Sequence, residues 1–288
     1  MRRAAALLVA AVFFLAPAAP CGDPVPRPDA KAGSGKAAPA GDPAIPGAAK
    51  RKNLIANGDF EAGGRDGPAG WQRPDGLTSF WAPAPGRKGK CIKIDTDVLV
   101  DQFRKREDEM DAARKAGRAP PPPPRKLPTR PPRYDTVAGN DGVHFGSDPI
   151  PFDPKKKYLL EVAVRADGPG SPKVWAKGFG IVGEGTEAAE RELWKKGLDC
   201  NGAGPEWKTF RMVFPRTTAI SPKVTRLRLY LYPYWPPATY WFDDVRLVEI
   251  TEEEAKAFAE EKGLLEKGER PARPDDPPRP KGKAGGAP

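Results

Sequence analysis

The residues best placed to do chemistry sit in one run, Arg226-Leu227-Arg228-Leu229-Tyr230-Leu231-Tyr232, which leads into Pro233-Tyr234-Trp235-Pro236-Pro237. Side chains of a strand alternate with period two, so if Leu227, Leu229 and Leu231 enter a core, then Arg226, Arg228, Tyr230 and Tyr232 face away from it. Two phenols and two guanidiniums would then share an outward face, with Trp235 joining them from a rigid aromatic loop at its edge. Flat rings stack on apolar ligand surfaces while Arg228 donates hydrogen bonds, so the chemistry on offer is binding. Trp175 alternates with Val174 and Ala176 and is a further candidate, although Phe179 and Ile181 share its parity and leave its side open. Trp81, in Ser79-Phe80-Trp81-Ala82-Pro83, is another. A second reading stays open for the tyrosines, in which they only cover the sheet with their hydroxyls in water.

Catalysis finds little support. The single histidine, His144, excludes a multi-histidine metal site, and any Ser-His-Asp triad would depend on it alone. Its place in Gly142-Val143-His144-Phe145-Gly146 reads as a polar group on a strand. Glu184, Glu187 and Glu190 recur every third residue in a Gly-flanked, helix-like segment. Two distant carboxylates converging in the fold are the remaining catalytic option, and the expectation is a protein that is not an enzyme.

The elements that must position these residues are strands. Ile92, Ile94 and Thr96 alternate with Lys93, Asp95 and Asp97; Tyr158, Leu160, Val162 and Val164 alternate with Leu159, Glu161, Ala163 and Arg165, predicting one buried and one mostly wetted face. Phe210, Met212 and Phe214 form another inward set. Short strands between Gly/Pro turns predict an all-β, two-sheet antiparallel sandwich over residues 53–250. Residues 102–133 interrupt it with a charged, helix-compatible run, Arg104 to Ala116, and five prolines, Pro120 to Pro124; a segment of this kind is expected to be a disordered loop or a basic arm. Thr251-Glu252-Glu253-Glu254 caps a short helix expected within 251–267, running from Ala255 to Leu265. Residues 21–52 and 268–288 read as disordered linker and tail.

The net charge of +10 does not belong to the sandwich. Residues 53–101 and 134–250 together hold 22 basic and 22 acidic groups, so the excess lies in the arms and the insertion, and no nucleic-acid partner is expected.

The two ends of the sandwich carry Asn53-Leu54-Ile55-Ala56-Asn57-Gly58-Asp59-Phe60-Glu61, with Gly70-Trp71 beyond it, and Tyr240-Trp241-Phe242-Asp243-Asp244-Val245-Arg246-Leu247. These motifs resemble the first and last strands of the galactose-binding-like jelly roll of bacterial carbohydrate-binding modules of the four and nine type. The resemblance implies a polysaccharide or glycan ligand, stacked on Tyr230, Tyr232, Trp235, Trp175 or Trp81, with Arg228 as a donor. It also implies a structural calcium near the first and last strands, held by Glu61 and Asp243, and core positions for Trp71 and Trp207. The E-x-D-x-x-E strand motif of jelly-roll glycoside hydrolases is absent. The fold also hosts structural and adhesion modules, so a cell-envelope module that captures a protein partner is the alternative.

Met1-Arg2-Arg3, the apolar run Ala4 to Leu15 and Ala16-Pro17-Ala18-Ala19-Pro20-Cys21 have the order of a secretory signal over residues 1–20, predicting export to the periplasm, cell surface or medium. No stretch reaches the ~20 apolar residues of a membrane-spanning helix. Cys21 is either the lipidated cysteine of a lipoprotein or, after cleavage near Ala18, an ordinary residue of the arm. In an exported chain Cys91 and Cys200 either pair as a disulfide or remain two buried thiols.

Overall fold

The computed structural model describes residues 42, 44–183, 188–216 and 220–263. The signal segment, Cys21, most of the linker, Glu184, Glu187 and the tail lie outside the described residues. No described helix is long and apolar enough to cross a membrane.

The described residues form a jelly-roll sandwich of two five-stranded antiparallel sheets, beside a small ribbon of β1 (Gly63–Gly64) and β2 (Gly67–Pro68). The first sheet runs β10 (Lys208–Phe214), β7 (Lys157–Ala166), β12 (Thr239–Ile250), β4 (Lys90–Asp95), β3 (Ser79–Pro83). The second runs β5 (Phe145–Gly146), β11 (Arg226–Tyr232), β8 (Lys173–Val182), β9 (Ala189–Asp199), with β6 (Ile150–Pro151) also paired to β11. Leu227, Leu229, Leu231, Val174 and Ala176 from the second sheet meet Ile92, Ile94, Leu160, Val162, Val164, Tyr240 and Phe242 from the first in one core. Each of these side chains is withdrawn from water at roughly 25 cal/mol per Å² of apolar surface, which is the main force holding the sheets face to face.

The opening motif is not a strand. Asn57 and Phe60 take φ of +51° and +55°, turning the chain where an extended segment was expected. The Asn57 side chain holds this turn by donating to the Ala62 and Ala69 carbonyls and accepting from the Ala62 N–H. Its partner is a bulge in β12, where Asp244 adopts φ +49° and the register shifts between Asp243 and Arg246. The extra residue lets both Phe242 and Val245 enter the core although they are three apart. Asn53 bridges the bulge, donating to the Val245 carbonyl at 3.0 Å and accepting from the Leu247 N–H at 2.9 Å. Val245 N–H donates to the Gly58 carbonyl at 2.8 Å, and a Cβ on Gly58 would lie 1.9 Å from the Val245 oxygen. Only glycine fits there.

Other expectations change as well. The outward face of β7 is not wetted along its length: Leu159 packs with Ile45, Ala48, Val213, Val248, Ile250, Ala255 and Phe258 in a second, smaller core. Residues 45–50 and α2 (Glu252–Glu261) cover it, so the end of the linker is docked. Arg51 pairs with Glu254, and Asp42 with Lys262 at 2.7 Å. Helix α2 begins with the expected Thr251 cap, completed by a reciprocal bond from Thr251 N–H to Glu254, but it ends at Glu261, short of the expected end, with Lys262 as C-cap and Gly263 turning the chain at φ +63°.

The insertion at 102–133 is ordered against the sandwich. Its helix α1 (Val100–Lys115) buries Arg106 to 3% exposure, where the guanidinium donates to the carbonyls of Asp75 at 2.8 Å and Pro121 at 2.9 Å. Lys126 pairs with Asp95, and Thr129 donates to Asp97. The apolar pattern of α1 is weak because its anchor is a cation. Of the two readings left open for the cysteines, the structure takes the second. Cys91 and Cys200 are free and buried, and they do not pair. Cys200 lies in the core, whereas Cys91 alternates with the inward Ile92 and so faces the other side of the first sheet, which separates the two sulfurs.

Arg106→Ala removes a buried side chain that donates to two part-buried carbonyls, so urea unfolding should show a stability loss of about 1–2 kcal/mol. A loss indistinguishable from zero would mean that the insertion is not fastened there.

Candidate functional site

Strands β11 and β8 pair in a register that sets Tyr230 opposite Trp175 and Tyr232 opposite Lys173. With the leucines of β11 and Val174 and Ala176 of β8 buried, Arg228, Tyr230, Tyr232, Trp175, Lys177 and Phe179 all project from the outward face of the second sheet. The parity left open for Trp175 resolves outward because Gly178 and Gly180 occupy the inward positions after Ala176. A Cβ at Gly180 would lie 2.0 Å from the Lys223 carbonyl oxygen, so the close approach of another backbone requires glycine there.

The rings lie down on neighbouring glycines. A Cβ on Gly197, the partner of Trp175 on β9, would come within 3.1 Å of the indole; one on Gly146 would meet Tyr230 at 3.0 Å, and one on Gly142 would meet Tyr232 at 2.8 Å. Missing side chains on adjoining segments are therefore the seats of the aromatic ones. The rings also touch one another. Trp175 and Tyr232 have centroids 6.4 Å apart, Tyr232 and Tyr234 stack at 5.5 Å, and His144 stacks on Tyr232 at 4.3 Å while meeting Tyr230 edge-on at 6.2 Å. Mutual contact restrains the rings before any ligand arrives, which lowers the entropy lost on binding. Burial, and then the Lys177 ammonium, hold the His144 imidazole below its ordinary pKa of 6.5, against the opposing charge of Asp141.

Arg228, Tyr230, Tyr232 and Trp175 are thus brought together. Trp235 is not on this face: it is 42% exposed on the loop after β11 and stacks on Tyr134, itself 69% exposed, with centroids 5.3 Å apart. Trp81 belongs elsewhere altogether. It sits on β3 of the first sheet, donates its indole N–H to the Phe60 carbonyl at 2.7 Å and carries the Lys90 ammonium 3.4 Å above its ring. It borders a cleft of about 560 Å³ lined also by Arg65, Arg73, Arg106 and prolines of the insertion. Trp71 is buried as expected, but Trp207 is only half-buried, donating to the Pro85 carbonyl under the Arg87 guanidinium. Sequence reading missed His144 and Tyr134 as members of the aromatic groups; the glycines on either side of His144 were the available signal.

Glu61 and Asp243 lie near each other on the far side of the first sheet. Glu61 accepts the Lys90 N–H at 2.8 Å and occupies the space that a Cβ on Gly89 would need. Asp243 is 6% exposed; burial, aided by the charges of Asp244 and Glu61, pushes its pKa up to about 7 against the Asp244 N–H bond and the Arg87 guanidinium. A buried carboxylate at Asp243 with the exposed Glu61 near it could seat a hard cation only with backbone carbonyls completing the shell, since no cluster of three or more acidic, Cys or His side chains suited to a metal occurs among the described residues.

A folded-state imidazole pKa below 6.5 means that the folded chain favours neutral His144, so its contribution to stability is full above pH 6.5 and declines as pH falls through the lowered value. Because His144 is the only histidine, its proton NMR titration reads this directly: the midpoint should lie below 6.5 and move back up in Lys177→Gln. A midpoint at or above 6.5 would contradict the stacked, cation-flanked placement.

No family model matches this chain, and no curated protein matches it. Among solved structures it is similar to a "Family 16 Carbohydrate Binding Module-2" at 15% identity and a TM-score of 0.38, over 68% of this chain and 100% of that one. A putative sugar binding protein from Bacteroides thetaiotaomicron aligns at 12% identity and a TM-score of 0.40, over 69% of this chain and 100% of that one. An arabinose-bound α-L-arabinofuranosidase aligns at 10% identity and a TM-score of 0.38, over 70% of this chain but only 27% of its own length.

Proposed function

We propose that this protein is an exported, non-catalytic glycan-binding module whose ligand lies along the outward face of β11 and β8. The observation that carries the reading is the convergence of Trp175, Tyr230 and Tyr232 on one sheet face, each seated on a glycine and flanked by cationic hydrogen-bond donors. Pyranose rings present apolar C–H faces that stack on such rings, while their hydroxyls accept from Arg228 and the lysines. Strand β11 offers a track of about 20 Å, suited to a chain more than to one sugar. The face's carboxylates are engaged: Asp199 pairs with Lys173 at 2.9 Å, Glu192 with Lys177 at 3.1 Å and Glu190 with Arg226 at 3.3 Å, which supports binding over general acid–base work. Export follows from the leader-like order of residues 1–20.

Calcium at Glu61 and Asp243 is part of this proposal. Its role is to neutralise the buried Asp243 carboxylate and, through Glu61, fasten β12 to the end of the opening motif, on the side of the molecule away from the rings. Calcium should therefore raise the melting temperature and a chelator lower it, with the increment lost in Asp243→Asn. A melting curve that ignores both additions removes the ion from the account.

Affinity electrophoresis through a panel of polysaccharides tests the ligand. Retardation by one glycan class should weaken at least tenfold, about 1.4 kcal/mol, in Trp175→Ala and Tyr230→Ala, with cooperative unfolding retained. Trp81→Ala should leave retardation unchanged. No retardation by any glycan, or loss only on substituting Trp81, would overturn the assigned face.

A further inference from the structure

The outward positions of the two central strands of this sheet hold no acid. On β11 they are Arg226, Arg228, Tyr230 and Tyr232; on β8 they are Lys173, Trp175, Lys177, Phe179 and Ile181. Glu190, Glu192 and Asp199 are confined to the edge strand β9, where Lys195 adds a fifth cation. The sandwich as a whole has equal numbers of basic and acidic groups, so this excess of cations is a local segregation.

The cations are interleaved with the rings. The Lys177 ammonium lies 5.1 Å from the centroid of Tyr230, Lys173 lies 5.7 Å from Trp175 and 5.8 Å from Tyr234, and Lys195 lies 5.9 Å from Trp175. A sugar stacked on Trp175 or Tyr230 would carry its exocyclic groups to the level of these ammoniums. The carboxylates that pair with Lys173 and Lys177 are partly exposed, and ion pairs of that kind hold weakly enough to be shared with a ligand.

We propose that the face takes an anionic glycan, one bearing carboxylate or sulfate groups, in preference to a neutral one. This rests on the glycan-binding reading above. The ring supplies stacking and the ammoniums supply selection for charge, so affinity for the acidic chain falls with ionic strength while stacking on an uncharged chain does not. Single-stranded nucleic acid also combines rings with cations, but the sandwich carries no net positive charge of the kind a nucleic-acid binder presents, and an oligonucleotide is kept as one arm of the test.

The test is binding of the full chain to polygalacturonate and its methyl-esterified form, to a sulfated galactan and its desulfated form, and to oligodeoxythymidylate, at low and high salt. Stronger binding to either charged polymer than to its uncharged counterpart, reduced by salt and lowered about two- to fivefold by Lys177→Gln or Lys195→Gln, supports the proposal and names the anion. Equal, salt-insensitive binding to both members of each pair overturns it and leaves the glycan reading standing. Binding to no glycan by a cooperatively folded protein overturns both, as does binding to the oligonucleotide alone.

Discussion

The period-two alternation of β11 and β8 is the constraint from which both the core and the candidate site follow. The same backbone that sends Leu227, Leu229 and Leu231 into the sandwich must send Arg228, Tyr230 and Tyr232 out of it. A one-residue slip would bury two guanidiniums and two phenols and expose the leucines, at a cost no surface interaction offsets. The outward rings therefore inherit their positions from the most strongly specified contacts in the molecule, and glycines on the adjoining segments let them lie along the sheet.

The second fastening is between the chain segments at either end of the sandwich. Asn53 and Gly58 lock onto the bulge at Asp244, and this bulge keeps Phe242 and Val245 both inside. Both motifs were recognisable as a pair from their residue types. That the first is a turn was not, because a short apolar run such as Leu54-Ile55-Ala56 does not reveal two residues of positive φ stabilised by the Asn57 side chain.

What stayed hidden depended on partners distant in the chain. The polar and proline-rich composition of 102–133 signals a failure to bury apolar surface, yet the segment is held by Arg106 in backbone carbonyls and by Lys126 on Asp95, interactions with no sequence period. Leu159 gave no sign that residues 45–50 and α2 would cover it. Strand β9 was missed because the recurrence of Glu184, Glu187 and Glu190 every third residue reads as helix, whereas Glu190 lies on an edge strand whose charges face solvent and discourage further pairing. His144 acquires its place only when β5 is laid beside β11, which sets Gly146 against Tyr230.

The account stands or falls on where a ligand touches the protein. Chemical-shift mapping of the full chain during titration with a retarding polysaccharide's oligomer is the most direct measurement. The account predicts perturbations centred on the Trp175 indole N–H, the Gly197 and Gly146 amides and the His144 ring. Perturbations centred on Trp81, Arg65 and Arg73, with Trp175 and Gly197 unmoved, would contradict it.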